Sequence, residues 1–252
     1  MPGSEILIEA CVDSVESALA AEAGGARRVE LCADLVEGGV TPSSGMIAEC
    51  RQRIGIPLYV MIRPRGGDFL YSDSEIEIMR RDVGEAKALG ADGVVLGLLR
   101  PDGKVDAERT RRLIDEARPL DVTFHRAIDV SRDPLEALDA LIEIGVDRVL
   151  TSGQAVSALA GARVIAKLVQ HAAGRLVVLP GGRIDETNAR KVVERTGARE
   201  VHVRGTRRVE SGMQYRSTRL SFRGKPLPSD YVLEYTEATR IREIAKALSG
   251  NR

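Results

Sequence analysis

Short runs of apolar and β-branched residues recur along the chain, and stretches with helical periodicity separate them. Apolar runs that alternate with helical segments are typical of strand–helix units built around a parallel sheet. Eight such units fit a closed (β/α)8, or TIM, barrel. The predicted strands are Glu5–Cys11, Arg27–Cys32, Pro57–Arg63, Asp92–Leu98, Asp121–Arg126, Asp147–Ser152, Arg175–Gly181 and Glu200–Arg204.

An internal repeat supports this count of strands. A Gly followed by three residues and then Val precedes every second predicted strand, at Gly25, Gly90, Gly145 and Gly197. Each Gly can end a helix in the left-handed conformation just before a strand begins. One copy for every two units favours a four-fold quasi-symmetric closed barrel. An open doubly wound sheet is the alternative, but its G-x-G-x-x-G fingerprint does not follow the first strand.

Helix starts and the C-terminal tail add detail. Asp13-x-x-Glu16 and Asp133-Pro134-x-Glu136 are typical of helix N-caps. The polar, Arg-rich segment Arg207–Asp230 contains Gly and Pro and predicts a long loop of functional or interfacial character. Apolar residues at helical spacing then predict a closing helix over Tyr231–Leu248.

Composition narrows the class of protein. The 252 residues carry 37 basic and 37 acidic side chains, which argues against a nucleic-acid binder, since such proteins need a basic excess. No apolar run is long enough to span a membrane, and the N-terminus shows no secretory signal. Three Cys indicate a reducing cytoplasm rather than a disulfide framework. We predict one cytoplasmic domain over residues 1–252, with a barrel at about 5–206 and an extension at 207–252.

Polar residues are predicted at the carboxyl ends of the strands, where the chemistry of such barrels takes place. If the repeat valines face the helices, strand alternation turns the neighbouring positions inward. Such inward residues suggest either a self-satisfied salt-bridge network or a site for a small anionic ligand. In the second case His125 acts as general acid or base, with Glu9 or Glu30 as its partner or as a second base. Arg63 then binds the anion. The inward catalytic candidates are Glu9, Glu30, Arg63, His125 and His202.

Two neighbours extend these candidates. Arg65, on the loop Arg63-Pro-Arg65-Gly-Gly-Asp68, offers a second guanidinium for an anion. Asp129 follows His125 by four residues, so it is either the carboxylate that orients this imidazole or a plain loop residue.

Glycine-bearing turns follow the sixth and seventh predicted strands. Backbone N–H groups at such turns, beside a helix start, bind phosphate in many barrels. Ser152, Gly153, Gly181 and Gly182 are therefore phosphate-binding candidates, with ordinary tight turns as the alternative.

Cys11 and Cys32 end the first two predicted strands, which should be neighbours. Adjacent strands lie close enough to bring two sulfurs together, and soft thiolates favour Cu(I). Two packed core thiols are the alternative.

Several segments resemble one known family, the CutC family. The resemblance is collinear from about Glu5 to His202 and implies a cytoplasmic, often oligomeric TIM barrel named for copper homeostasis. It also implies Cu(I) binding by a Cys pair at the positions of Cys11 and Cys32. The matching motifs are Cys11-Val-Asp-Ser-Val-Glu-Ser, Glu30-Leu-Cys-Ala-Asp, Glu37-Gly-Gly-Val-Thr-Pro-Ser, Met61-Ile-Arg-Pro-Arg-Gly-Gly-Asp-Phe, Thr123-Phe-His-Arg-Ala, Leu150-Thr-Ser-Gly-Gln and Pro180-Gly-Gly.

Two functional hypotheses follow. One is a copper-handling protein with Cu(I) as its cofactor at the Cys pair. The other is an enzyme that acts on a small anionic or phosphorylated substrate by acid–base chemistry. In either case we expect a homo-oligomer, and a dimer in particular, because two-fold assemblies are the commonest.

Overall fold

A computed structural model describes residues 6–217, 219–221 and 229–250. It confirms the TIM-barrel prediction, and each observed strand overlaps the segment predicted for it. The eight parallel strands are β1 (Leu7–Val12), β2 (Arg28–Leu31), β3 (Leu58–Met61), β4 (Gly93–Leu96), β5 (Asp121–Phe124), β6 (Arg148–Thr151), β7 (Val177–Pro180) and β8 (Glu200–Val203).

Strand pairing closes the sheet into a ring. Neighbours in sequence pair from β1 through β7, and β1 also pairs with β8. A parallel bridge between Gly181 and His202 joins β7 to β8, so the sheet is not open. The register places Glu9 opposite His202 and Cys11 opposite Glu30. These two pairings bring acids, an imidazole and a thiol from three strands to one part of the barrel.

Side-chain alternation follows the predicted phase. The repeat valines Val29, Val94, Val149 and Val201 are fully buried in the large core between the strands and the helices. A smaller inner cluster contains Cys11, Cys32, Tyr59, Met61 and Val95. Residues beside the valines therefore face the barrel interior, as the candidate site requires.

Eight helices surround the barrel, and their ends test the predicted signals. The four repeat glycines all have positive φ, as expected. Asp133 caps its helix by accepting from the backbone N–H of Glu136, as predicted. The Asp13 prediction is wrong by one residue, because the Ser14 side chain caps α1 instead. The helices are α1 (Val15–Gly24), α2 (Ser44–Arg53), α3 (Asp73–Ala88), α4 (Ala107–Ala117), α5 (Pro134–Glu143), α6 (Ala162–Ala172), α7 (Ala189–Thr196) and α8 (Ala238–Ser249).

The C-terminal extension departs from prediction at its start. Residues expected to begin the last helix form β10 (Val232–Thr236), which pairs antiparallel with β9 (Thr206–Glu210). The helix itself is the shorter α8, which packs on α1 and α7 with Ile241 and Ile244 fully buried. The predicted loop Arg207–Asp230 therefore starts as a strand, and residues 218 and 222–228 lie outside the described residues.

None of the helices in the described ranges combines the length and the apolar character needed to cross a membrane.

Candidate functional site

A cavity of about 730 Å³ opens at the carboxyl ends of the strands. Four of the five predicted catalytic residues line this mouth cavity, namely Glu30, Arg63, His125 and His202. The fifth, Glu9, is fully buried beneath it and is not among the lining residues. The topology thus gathers residues of β2 and β8, and residues just beyond β3 and β5, around one opening.

A salt-bridge network lies beneath the mouth cavity. Glu9 accepts from Arg28 Nε at 2.5 Å and is hydrogen-bonded to His202 Nδ1 at 2.7 Å. Arg28 also contacts Glu200 at 2.5 Å, and Glu200 in turn binds Arg148 at 2.8 Å. The network predicted as the alternative to a ligand site is therefore present, but it forms a separate lower layer.

Glu9 belongs chemically to this lower layer. Burial alone would raise the pKa of its carboxyl group, but Arg28 and the hydrogen bond with His202 outweigh burial and lower the pKa to about 2. The carboxylate is therefore ionised at neutral pH and too weak a base to abstract a proton. Its position fixes the His202 ring, so Glu9 is a positioning residue rather than a catalytic one.

Cys11 and Cys32 lie beside Glu30, next to the salt-bridge network. Both thiols are free and buried. One ligand atom from each of the three residues lies within 4.8 Å of the others. Cys32 Sγ lies 3.5 Å from Glu30 Oε2. Two sulfurs and one carboxylate oxygen are thus gathered where a single ion can contact all three.

His202 links the cysteine cluster to the lower layer. Its Nδ1 faces Glu9, while its Nε2 lies 3.8 Å from Glu30 Oε2. A hydrogen bond from Cys32, reinforced by His202, lowers the pKa of Cys11 well below its usual range. Burial acts to lower the pKa of His202, but Glu30, Cys11 and Glu9 raise it well above its usual value. A thiol, an imidazole and an orienting carboxylate in a row are the parts that activate a nucleophile or relay a proton.

The pKa values of Glu30 and Cys32 shift in the direction opposite to that of Cys11. Burial raises the pKa of Glu30 well above its usual value. The hydrogen bond to Cys11, followed by burial, raises the pKa of Cys32. Cys11 is therefore held as a thiolate more readily than Cys32.

His125 occupies the opposite wall of the mouth cavity. Its Nδ1 accepts from the backbone N–H of Ala127 at 3.2 Å, whereas its Nε2 is buried without a hydrogen-bond partner. Burial, and then the charge of Arg63, lowers its pKa to about 3, so the ring is neutral. Since Nδ1 accepts a hydrogen bond, Nε2 carries the proton. His125, which lines the mouth cavity, is thus an unpartnered hydrogen-bond donor rather than a base at neutral pH.

Arg63 is held in the wall by backbone oxygens. Its Nη1 donates to the carbonyls of Glu37 and Gly39, and its Nη2 donates to that of Gly67. Its Nε is buried and unpartnered. Arg65 does not join it, because that guanidinium binds Glu75 at 2.6 Å on the outer side of the loop. The two-arginine anion clamp is therefore not formed, although Arg63 alone remains at the cavity.

The turn after β6 is closed by Asp129 rather than by a ligand. The Asp129 carboxylate accepts from the backbone N–H groups of Ser152 at 2.9 Å and Gln154 at 3.2 Å. Thr151 Oγ1 donates to it at 2.6 Å and accepts from the Gly153 N–H. These N–H groups are already used, contrary to the phosphate-binding expectation for Ser152 and Gly153. Asp129 organises this turn and forms no hydrogen bond with His125 in the part of the chain described.

The turn after β7 differs between its two glycines. The Gly181 N–H donates to the carbonyl of Thr151 within the sheet, so it is not available to an anion. Gly182 has a φ of 99° and lines the mouth cavity. Of the phosphate-binding candidates, Gly182 alone remains on the cavity wall.

Several residues that build the site were not predicted. Arg28 precedes Glu30 by two positions, so strand alternation alone indicates that it points inward. Gly97 carries a steric signal instead, because a Cβ there would lie 2.4 Å from the His125 ring. Phe69 contacts the same ring, with centroids 4.9 Å apart, but its loop sequence contains no pattern that predicts this contact. Three arginines at the rim were also missed, namely Arg126, Arg183 and Arg240.

Comparisons with known proteins identify the family of the chain. The CutC family model matches residues 6–207. A human protein named copper homeostasis protein cutC homolog is 49% identical over 238 residues, which are 94% of this chain and 87% of that protein. The mouse protein of the same name is 48% identical over 242 residues, 96% of this chain and 89% of its own length.

A solved structure supports the same relationship. A CutC crystal structure from Streptococcus agalactiae superposes with a TM-score of 0.76 at 34% sequence identity. The superposition covers 79% of this chain and 98% of that one. Because the family model spans the whole barrel and these relatives align over most of the chain, the chain belongs to the CutC family.

Proposed function

We propose that this chain takes part in copper homeostasis by binding Cu(I) through Cys11 and Cys32. One observation carries the proposal: two free, buried thiols and a Glu30 oxygen lie within 4.8 Å of one another. Soft thiolate donors are the ligands that select Cu(I). The donor set fits such an ion, and Cys11 lines the mouth cavity, which provides a route from solvent. The names of the human and mouse relatives support the same role.

The test is an anaerobic Cu(I) titration of the protein against a strong competing chelator. The Cys11→Ala, Cys32→Ala double variant should lose at least about 100-fold in affinity, since even second-shell changes cost 10- to 100-fold at metal sites. Cys50→Ala is the matched control, because Cys50 is equally buried but lies on α2, outside the barrel. Equal Cu(I) affinity in the double variant and the parent would refute the proposal.

A second candidate function is acid–base catalysis on a small anionic substrate. The observation that favours it is the hydrogen bond of 2.7 Å between His202 and Glu9, on a ring whose other nitrogen faces Glu30 and the cavity. A carboxylate that orients an imidazole is the usual support of a general acid or base. Glu30, Cys11 and Glu9 hold the His202 ring protonated, so His202 is the general acid, and Arg63 with His125 binds the substrate. His202 donates a proton to the substrate oxygen while solvent water takes up the proton that leaves carbon.

Deuterium exchange tests this second function. Pyruvate in D2O is the probe, because its methyl protons are acidic and one-dimensional proton NMR follows their loss. The parent should accelerate exchange, and His202→Asn should slow it by about 100-fold or more. His171→Asn, on the exposed side of α6, is the matched control and should exchange as the parent does. Equal rates in the His202→Asn variant and the parent would exclude His202.

Location and assembly complete the proposal. We place the protein in the cytoplasm, where its three free thiols would stay reduced. We also propose a homo-oligomer, and a dimer first of all. Exposed apolar residues near the β9–β10 hairpin, among them Met213, Tyr215 and Leu220, support a surface that a second copy would cover.

A further inference from the structure

We propose that the mouth cavity binds a small carboxylate that carries a neighbouring hydroxyl group, held between Arg63 and His125 on one wall and Glu30 on the other. Three polar atoms of these residues are buried without a hydrogen-bond partner: Arg63 Nε, His125 Nε2 and Glu30 Oε1. The proposal shares Glu30 with the copper site but needs no metal, and it rests on the second candidate function, which it extends by naming the class of ligand.

The charge of Arg63 calls for an anion. Arg63 is 5% exposed, and among the described residues its guanidinium meets carbonyl oxygens but no carboxylate within 4 Å. Buried charges in proteins are normally paired with an opposite charge. The mouth cavity is the side of Arg63 where such a charge can enter, and a carboxylate from solution supplies it.

His125 provides the second donor for the same carboxylate. The neutral ring carries its proton on Nε2, because Nδ1 accepts from the Ala127 N–H. Phe69 lies against both residues, 5.1 Å from the Arg63 guanidinium carbon and 4.9 Å between ring centroids for His125. The residues that carry the two N–H donors thus contact one aromatic ring, and two such donors suit the two oxygens of a carboxylate.

Glu30 provides the acceptor for the hydroxyl group. Its Oε2 faces Cys32 and His202, so the unpartnered Oε1 is the atom left for a ligand. This oxygen keeps an acceptor lone pair whether the carboxyl group is ionised or protonated. A plain carboxylate would leave Oε1 without a partner, whereas a hydroxy acid satisfies all three atoms. The cavity of about 730 Å³ has the size of ordinary small-molecule sites.

The experiment compares three small probes of three carbons each by ligand-observed NMR titration of the full chain. Glycerate carries both groups, propionate lacks the hydroxyls, and 1,2-propanediol lacks the carboxylate. Glycerate should bind at least about tenfold more tightly than either of the others, because a hydrogen bond to a charged group contributes about that much. Equal binding of glycerate and propionate, or no binding of glycerate, would overturn the proposal.

Two variants locate the site. His125→Asn keeps a short acceptor for the Ala127 N–H but deletes Nε2, and it should weaken glycerate binding about tenfold or more. Glu30→Leu removes both side-chain oxygens at similar size and should erase most of the preference for glycerate over propionate. His171→Asn is the matched control and should bind glycerate as the parent does. Unchanged glycerate affinity in both His125→Asn and Glu30→Leu would place the ligand elsewhere and overturn the proposal.

The experiments distinguish a failure of the hydroxy-acid proposal from a failure of the copper or catalytic proposals. Cu(I) and glycerate are titrated independently on the parent protein, so loss of one proposal leaves the other measurable. Glycerate binding without any deuterium exchange of pyruvate would support this site and remove only the catalytic role of His202.

Discussion

At the scale of single residues, Glu9 holds the two layers of the barrel interior together. Its carboxylate contacts Arg28 and His202, and the residue is fully buried. Glu9→Gln keeps the shape but removes the charge. We expect the free energy of unfolding to fall by about 3 kcal/mol or more, because breaking a buried ion pair leaves its partner uncompensated. Urea unfolding monitored by circular dichroism measures the change.

An exposed pair provides the matched control for this substitution. Glu108 contacts Arg112 at 2.5 Å on the surface of α4, where both side chains are largely exposed. Glu108→Gln should leave the unfolding curve almost unchanged, since exposed pairs contribute little. If Glu9→Gln is as mild as Glu108→Gln, the lower layer does not depend on this carboxylate.

Single positions also show what the sequence could reveal about the site. Strand alternation placed Glu30 and His202 correctly at the mouth, because the register of a closed sheet follows from periodicity. The same rule, applied to positions two residues earlier on β2, indicates Arg28. It does not reveal which atoms remain unpartnered. The roles of Arg63 Nε and His125 Nε2 depend on loop carbonyls and on Phe69, which come from distant parts of the chain.

At the scale of elements, local signals predicted strands better than loops. Apolar runs and the repeat glycines correctly predicted all eight barrel strands, since burial against helices leaves a strong local pattern in the sequence. The segment Val232–Thr236 was predicted as helix because its residues also fit helical spacing. Its partner β9 precedes it by more than 20 residues, and a pairing that distant leaves no local mark. The pairing with β9 therefore makes Val232–Thr236 a strand in spite of its helical spacing.

The turn after β6 illustrates the same limit for function. Its Thr-Ser-Gly-Gln sequence is compatible with a phosphate cup, and that was the expectation. An internal carboxylate, Asp129, instead accepts the hydrogen bonds that a phosphate would need. A carboxylate and a phosphate oxygen satisfy the same N–H donors, so the turn sequence alone does not distinguish them. The 3-10 segment Arg126–Val130, which carries Asp129, decides between them.

At the scale of the whole molecule, the barrel separates structural charge from chemically available groups. The lower layer is saturated by ion pairs around Glu9 and Glu200, so it stabilises the interior without contacting a ligand. Above it, as an upper layer, lie two free thiols, Cys11 and Cys32, and three residues that line the mouth cavity and carry a buried, unpartnered polar atom, namely Glu30, Arg63 and His125. The ion pairs around Glu9 and Glu200 do not include Cys11, Glu30 or His125, so variants of these three residues leave that network intact and can report on function.

The pH dependence of stability tests whether the upper layer is as buried as the fold implies. His125 has a folded-state pKa of about 3, against about 6.5 for an unfolded imidazole. Below pH 6.5 the unfolded chain takes up a proton that the folded chain refuses, so this residue lowers the free energy of unfolding as pH falls. His202 acts with the opposite sign, because its raised pKa adds stability below pH 6.5 that is lost as pH rises.

A comparison of variants isolates the contribution of His125. The free energy of unfolding of the parent minus that of His125→Asn should decrease as pH falls from 6.5 to 4.5, by up to about 1.4 kcal/mol per pH unit. Above pH 6.5 the difference should be constant, since His125 is then neutral in both states. Urea unfolding at half-unit pH steps measures it, and His171→Asn shows the effect of losing an exposed imidazole. A difference that stays constant down to pH 4.5 would mean that His125 gains a proton in the folded barrel, and that its Nε2 faces water instead of a site for a carboxylate.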